Sequence, residues 1–493
     1  MSQPVAFGVT IPAYNTTPPY HPDTTFPESS FPQVSEGANW PYRLLRRLFY
    51  ELGLDRDRFN TREWNPLGGL IRPGQTVLLK PNFVLSFNAG GDDIFSVITH
   101  PSILRAMVDY AYIALRGEGR IIIADVPQMD CDWAELMRLQ RLDTIQEFYA
   151  SQFGFRLEVY DLRNFAVIDH TKPPLTENRK KLSGDPAGSV VINLGKRSHF
   201  YGLPNQNYYG ADYNRQETIA HHNGETQEYC VSKTILSADV FISVPKMKTH
   251  KKVGVTLNLK GLVGINTNKN YLVHYRLGTP SGGGDQIPDS RTSTDRALVK
   301  MQRWAFDRFL ARQSKTGDTI YNAARRIYRA TLKPFLRVSE ETYVLDAGNW
   351  HGNDSAWRMT ADLTKILFFA DASGCLHETP QRSMFCVVDG IIAGERMGPL
   401  EPSARRCGCL IAGTHPVAVD MTVARLMGFE PRKIKQFSQA FQLNENFGLR
   451  DFSDIEVRYE GETIPGTQFF LPSDSTGYFS FVPHPGWKGH LEV

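Results

Sequence analysis

Short apolar runs and longer amphipathic stretches alternate along most of this chain of 493 residues. Trp40 to Leu54 ("WPYRLLRRLFYELGL") sets apolar residues at helical spacing with arginines on the opposite face, which predicts a helix. Gly74 to Val84 ("GQTVLLKPNFV") is a compact Val/Leu run, and Pro81 and Asn82 predict its end. A helix follows: Thr99 is suited to cap it, Pro101 fits its first turn, and Gly117 stops it. Gly119 to Pro127 ("GRIIIADVP") is then apolar without alternation and closes on Asp125. Strand, helix and continuously apolar strand in that order predict a βαβ unit with parallel pairing.

The grammar weakens from about residue 142 to 213 and returns in "ILSADVFISVPK", a buried strand expected to end near Val244. Residues 266–290, rich in Asn, Gly, Ser and Pro, predict a long loop. Two helical patterns within residues 291–340 predict a hairpin insertion. "GNDSAWRMTADLTKILFFAD" predicts a helix capped by Asn353 or Asp354. "MFCVVDGIIAGE" predicts a strand ending at Asp389, and "CLIAGTHPVAVDMTVARLMGF" repeats the strand, Thr-His-Pro, helix order seen at Thr99. The expected fold is therefore α/β: mostly parallel, Rossmann-like sheets in two lobes, helices on both faces, and the hairpin insertion. The expected boundaries are an extended arm over 1–40, a first lobe over 41–290, the hairpin over 291–340, and a second lobe with the tail over 341–493.

Composition adds exclusions. The net charge of +3 argues against a general nucleic-acid binder, and only Tyr271 and Tyr275 interleave with the lysines. No apolar run approaches the roughly 20 residues that span a bilayer, and the first residues do not read as a signal peptide. Six cysteines without a CxxC pair suggest free thiols in a reducing compartment, so a cytoplasmic protein is expected.

Charge placement says more than its total. From Val240 to Gly284 there is no Asp or Glu, while Lys246, Lys248, Lys251, Lys252, Lys260, Lys269 and Arg276 all fall there. Clustered ammonium groups at a strand end, with Gly254, Gly261 and Gly264 permitting close backbone approach, suit an anionic ligand. If the segment after Val255 is a helix or tight turn, its first amides would face that anion. Lys80, Lys246, Lys248 and Lys260 are the expected anion holders. Thr249 and Thr256 offer hydroxyls, and Asn82, Asn258 and Asn353 would orient the ligand. Asp354 and Arg358, four residues apart, would either clamp it or pair with each other. His250, within the lysines, is a candidate catalytic base. Asp389 and Glu395 are candidates for proton transfer, and Asp389 with Asp420 for a divalent metal at gathered strand ends.

The segments "VLLKPNFV", "THPSILRAMVDYAY", "IIIADVP", "SADVFISVPKMKTHKKVGVTLNLKGLVGI", "FCVVDGIIAGERMGP" and "LIAGTHPVAVDMTVARLMGF" together resemble the prokaryotic family called domain of unknown function 362 (DUF362). Many of its members carry an added four-iron domain. The cysteine spacing for one is missing here, so no iron–sulfur cluster is expected. "GNWHGNDSAWRMTADLTKIL" resembles a subgroup found near surface-polysaccharide genes. Together, residues and resemblance predict an enzyme acting on a phosphorylated or carboxylated metabolite between the lobes, with a divalent metal as a possible aid. The alternative is a non-catalytic anion-binding or assembly protein in surface-polysaccharide biosynthesis.

Overall fold

A computed structural model describes residues 2–169, 178–204, 207–212, 214–309, 339–442, 449–471 and 479–493, with a few single positions between 316 and 323. Eleven strands among them form one sheet: β1 (Gln3–Val9), β2 (Thr76–Pro81), β3 (Arg120–Asp125), β4 (Leu157–Asp161), β5 (Val240–Val244), β6 (Lys246–His250), β7 (Gly254–Val255), β8 (Ser383–Met397), β9 (Glu401–Gly413), β10 (Ile455–Tyr459) and β11 (Glu462–Pro465). The main path runs β11-β10-β1-β9-β8-β5-β2-β3-β4, with β6 beside β8 and β7 beside β6. The pairings among β8, β5, β2, β3 and β4 are parallel, as the continuous apolar runs predict. The expected split into two lobes does not describe this sheet. β5 pairs with β2 on one side and β8 on the other, which joins strands from both halves of the sequence.

Both faces are covered, which is why the strands are apolar without alternation. Helices α1 (Trp40–Glu51) and α2 (Pro101–Leu115) pack on one face with Val77, Leu79, Ile121 and Ile123. On the way to the second face, α3 (Leu257–Gly261) is short, and α4 (Ser293–Phe309) is the first arm of the expected hairpin. The second arm, expected within 320–335, lies largely outside the described residues. Leu78, Ile122 and Ala124 point to the second face, into a core that includes Met359, Leu363 and Ile366. Those three belong to α5 (Ala356–Phe369), and α6 (Pro416–Leu426) packs near β1 and β9 in a third core. No helix among the described residues is long and apolar enough to cross a membrane.

Three local expectations change. The segment read as an extended arm begins with a strand of the sheet, β1, paired with β9 and β10. The cap of α2 is His100, whose side chain accepts from the Ser102 N–H, and His415 caps α6 by accepting from the Ala418 N–H. The Thr99 hydroxyl instead donates to the Val244 carbonyl, tying α2 to the end of β5. Asp389 does not end a strand either: β8 runs on to Met397 with a register shift between Gly390 and Ile392.

Candidate functional site

Parallel pairing brings the carboxyl ends of β2, β3 and β5 to one edge, the usual place for a ligand in an open α/β sheet. There the chain turns from β5 into β6 and borders a cavity of about 500 Å³. Lys80, Lys248, Lys251, Lys252, Lys260, Lys269 and Arg303 line it, with His250, His274, Thr256 and Asn82. Three acids also reach its wall: Asp125, Asp130 and Asp212. Asp125 is occupied by Lys80 at 2.7 Å and by the Phe83 and Val126 N–H groups, and Asp212 pairs with Arg179 at 2.9 Å. Cations therefore outnumber acids on the wall.

Most of these lysines lean on carbonyl oxygens. Lys248 Nζ donates to Val97 O at 2.7 Å and Pro399 O at 3.0 Å. Lys269 Nζ donates to Val263 O and Val126 O, and Lys252 Nζ to Ala347 O beneath the Tyr275 ring. Lys260 is different. It is only 6% exposed, it lines the cavity, and its ammonium has no hydrogen bond or ion pair among the described residues. Burial alone pushes it down to about 7. Burial brings Lys269 to about 7 against the pull of Asp125. Burial, then Lys246 and Lys260, press Lys248 well below its ordinary range. Buried ammonium groups of this kind are costly to keep charged until an anion arrives.

The two histidines are held neutral by burial and then by the field of Lys260. His250 Nδ1 accepts from the Lys252 N–H at 3.0 Å, and His274 Nδ1 lies 3.0 Å from the Leu272 carbonyl. The Thr256 hydroxyl is buried without a partner at the cavity wall. Gly264 also lies on that wall. A Cβ there would overlap Asp125 Oδ1 and come to 2.6 Å from Lys80 Nζ, so only glycine admits the pair.

Of the residues singled out from sequence, Lys80, Asn82, Lys248, His250, Thr256 and Lys260 meet at this cavity. Lys251, Lys252, Lys269, Gly261 and Gly264 of the acid-free run line it too, whereas the other candidate ligand, catalytic and metal residues do not. Lys246 and Asp389 form a fully buried ion pair at 2.6 Å. Asp389 also accepts from the Tyr14 hydroxyl and from the His100 and Ile391 N–H groups. The Thr249 hydroxyl donates to Arg396 O. Glu395 accepts from Arg405 and the Val482 N–H. Asp420 accepts from the N–H groups of Asn258 and Leu259 and from the Asn258 side chain, and burial pushes its carboxyl up to about 7. The first amides of α3 are thus taken by Asp420 rather than turned to a ligand. Asn353 accepts from the Ser355 and Ala356 N–H groups and donates to the His274 carbonyl. Asp354 pairs with Arg358 at 2.9 Å and with Arg276 at 3.0 Å. Asp389 thus accepts from four donors and Asp420 from three, all of them within the fold. Among the described residues no group of three or more His, Cys, Asp or Glu is placed to hold a metal ion.

Sequence reasoning gave no role to His274, Lys269 or Arg303. Lys269 was visible only as one more charge in an acid-free stretch. His274 lies in "YLVHYR", where nothing marks it. Arg303 comes from α4, in the segment that reads as a separate insertion, so nothing local ties it to the lysines.

No curated protein matches the chain. A family model described as "Domain of unknown function (DUF362)" matches residues 169–425, more than half of the chain and the whole run from Lys246 to Asp420. The chain belongs to the DUF362 family.

Proposed function

We propose that the protein is an enzyme that binds a small phosphorylated or carboxylated compound in this cavity. The observation that carries the reading is Lys260: an ammonium buried to 6% exposure, on the wall of a cavity and left without a partner among the described residues. A buried charge without a partner is unfavourable unless the site is completed by something of opposite charge. Lys248, Lys252 and Lys269 are held by carbonyl oxygens, so no carboxylate bonded to them cancels the charge they offer a ligand. The orphan Thr256 hydroxyl supplies a neutral contact to the same ligand. An amine lowered to about 7 exchanges protons near neutral pH, and two imidazoles kept neutral by burial and then by Lys260 stand on the same wall, which favours catalysis over storage.

The test is titration calorimetry with inorganic phosphate, pyrophosphate and citrate at low salt and pH 6.5, on the wild type and on Lys260→Met. Binding that weakens roughly 10- to 100-fold in the variant is expected, the scale of one charge-assisted hydrogen bond. Wild-type protein that binds none of the three, or a variant that binds as well as wild type, would remove the support for this reading.

A further inference from the structure

The backbone commits one nitrogen of each cavity histidine, in opposite senses. At His250 the Lys252 N–H donates to Nδ1, so the neutral ring carries its proton on Nε2. At His274 the neighbour of Nδ1 is the Leu272 carbonyl, which only accepts. That ring carries its proton on Nδ1 and presents a lone pair on Nε2. Both rings line the cavity, and neither Nε2 has a partner among the described residues. Lys260 is the leading charged neighbour of both.

We propose that His274 and His250 are catalytic residues of a proton-transfer reaction on a carbonyl compound held by Lys260, with His274 Nε2 as the base and His250 Nε2–H as donor to the oxyanion. The proposal rests on the anion-binding reading above and adds the reaction class. His274 removes a proton from the carbon next to the carbonyl. The C–H electron pair becomes the new C=C bond, and the carbonyl π pair moves to oxygen. His250 keeps its proton and donates a hydrogen bond to that oxygen, since loss of the proton would leave an imidazolate. A neutral imidazole pinned by a backbone N–H is suited to this electrophilic role. Burial and then Lys260 disfavour the His274 imidazolium, and the Leu272 carbonyl at Nδ1–H supports it only until it returns the proton to the substrate. The proton shift is balanced within the substrate and needs no co-reactant. The substrate class is a phosphorylated or carboxylated compound with a carbonyl group.

Two measurements test it. The first is 15N NMR of protein labelled at its 13 histidines, with His250→Gln and His274→Gln used for assignment. It needs no ligand, so its outcome is separate from that of the phosphate titration. Nδ1-protonated His274 and Nε2-protonated His250 are expected; the same tautomer at both, or two imidazolium rings at pH 7, overturns the assignment. The second is deuterium incorporation from D2O into dihydroxyacetone phosphate, ribulose 5-phosphate and 2-oxoglutarate. Wild-type exchange with at least one of them is expected, falling about 100-fold or more in His274→Gln and about 10-fold or more in His250→Gln, with phosphate binding retained. No exchange with any of the three, or exchange that survives in His274→Gln, overturns the reaction class.

Discussion

Lys246 Nζ lies 2.6 Å from Asp389 Oδ2, and neither side chain has any exposure. The pair bridges β6 and β8, whose backbones are in register at these two residues. Tyr14 completes it: its hydroxyl donates to Asp389 Oδ1 at 2.7 Å and accepts from Lys246 at 2.9 Å, while its ring stacks on His100 at 3.9 Å. The N-terminal segment, the cap of α2 and the strand that leads into the cavity are therefore locked at one point.

Breaking this pair should cost stability and spare the anion. Asp389→Ala leaves a buried ammonium without its carboxylate, a loss of about 3–5 kcal/mol. Replacing both residues, as Lys246→Met with Asp389→Leu, should recover much of that loss. Urea denaturation midpoints measure the first effect and phosphate calorimetry the second. An Asp389→Ala protein of normal stability that no longer binds phosphate would contradict the structural role.

Lys260→Met should make the unliganded protein more stable while it weakens binding. The variant removes a buried group without a partner, whose burial costs about 1–3 kcal/mol. A thermal melt without added anion should therefore move upward, and the melt in saturating phosphate should lose its upward shift. A variant less stable than wild type in anion-free buffer would mean that Lys260 has a partner in the free protein.

The lysines set the pH dependence. Lys260 and Lys269 are pushed down to about 7 in the folded protein, below the roughly 10.4 of an unfolded lysine. Between about 7 and 10 the unfolded chain binds more protons, so their contribution makes stability rise with pH over that window. Below 7 both are charged and the destabilisation is complete. An anion favours the charged forms, so binding at pH 8 should take up protons, and affinity should fall as pH rises above 7. Calorimetry at pH 8 in two buffers of different ionisation enthalpy reads the uptake directly; equal heats in both would contradict it.

The parallel strands were legible because residues such as Ile121, Ile122 and Ile123 must satisfy two covered faces at once. β6 was not, because "KMKTH" has no apolar pattern; its lysines are buried only because Asp389 and the carbonyls of Val97, Pro399 and Ile392 receive them. Asp389 read as the end of a strand, yet pairing with β9 carries the strand through it. Half of the candidate site was visible as a run of like charge. The rest comes from long-range packing: Tyr14 meets Asp389 across 375 positions, and Arg303 reaches the lysine-lined wall from α4.

Gly264 offers the most local test of the cavity. An alanine Cβ would overlap Asp125 Oδ1 and approach Lys80 Nζ to 2.6 Å, so the ion pair between them must shift. Gly261, on the same wall, has nothing within 4 Å of its Cβ position. Gly264→Ala should therefore cost about 1–3 kcal/mol, the range for overpacking, and weaken phosphate binding by displacing Lys80. Gly261→Ala should keep its stability or gain up to about 1 kcal/mol from helix propensity. Denaturation midpoints and phosphate titrations of the two variants decide the matter, and equal behaviour would mean that the Lys80–Asp125 contact does not shape the cavity.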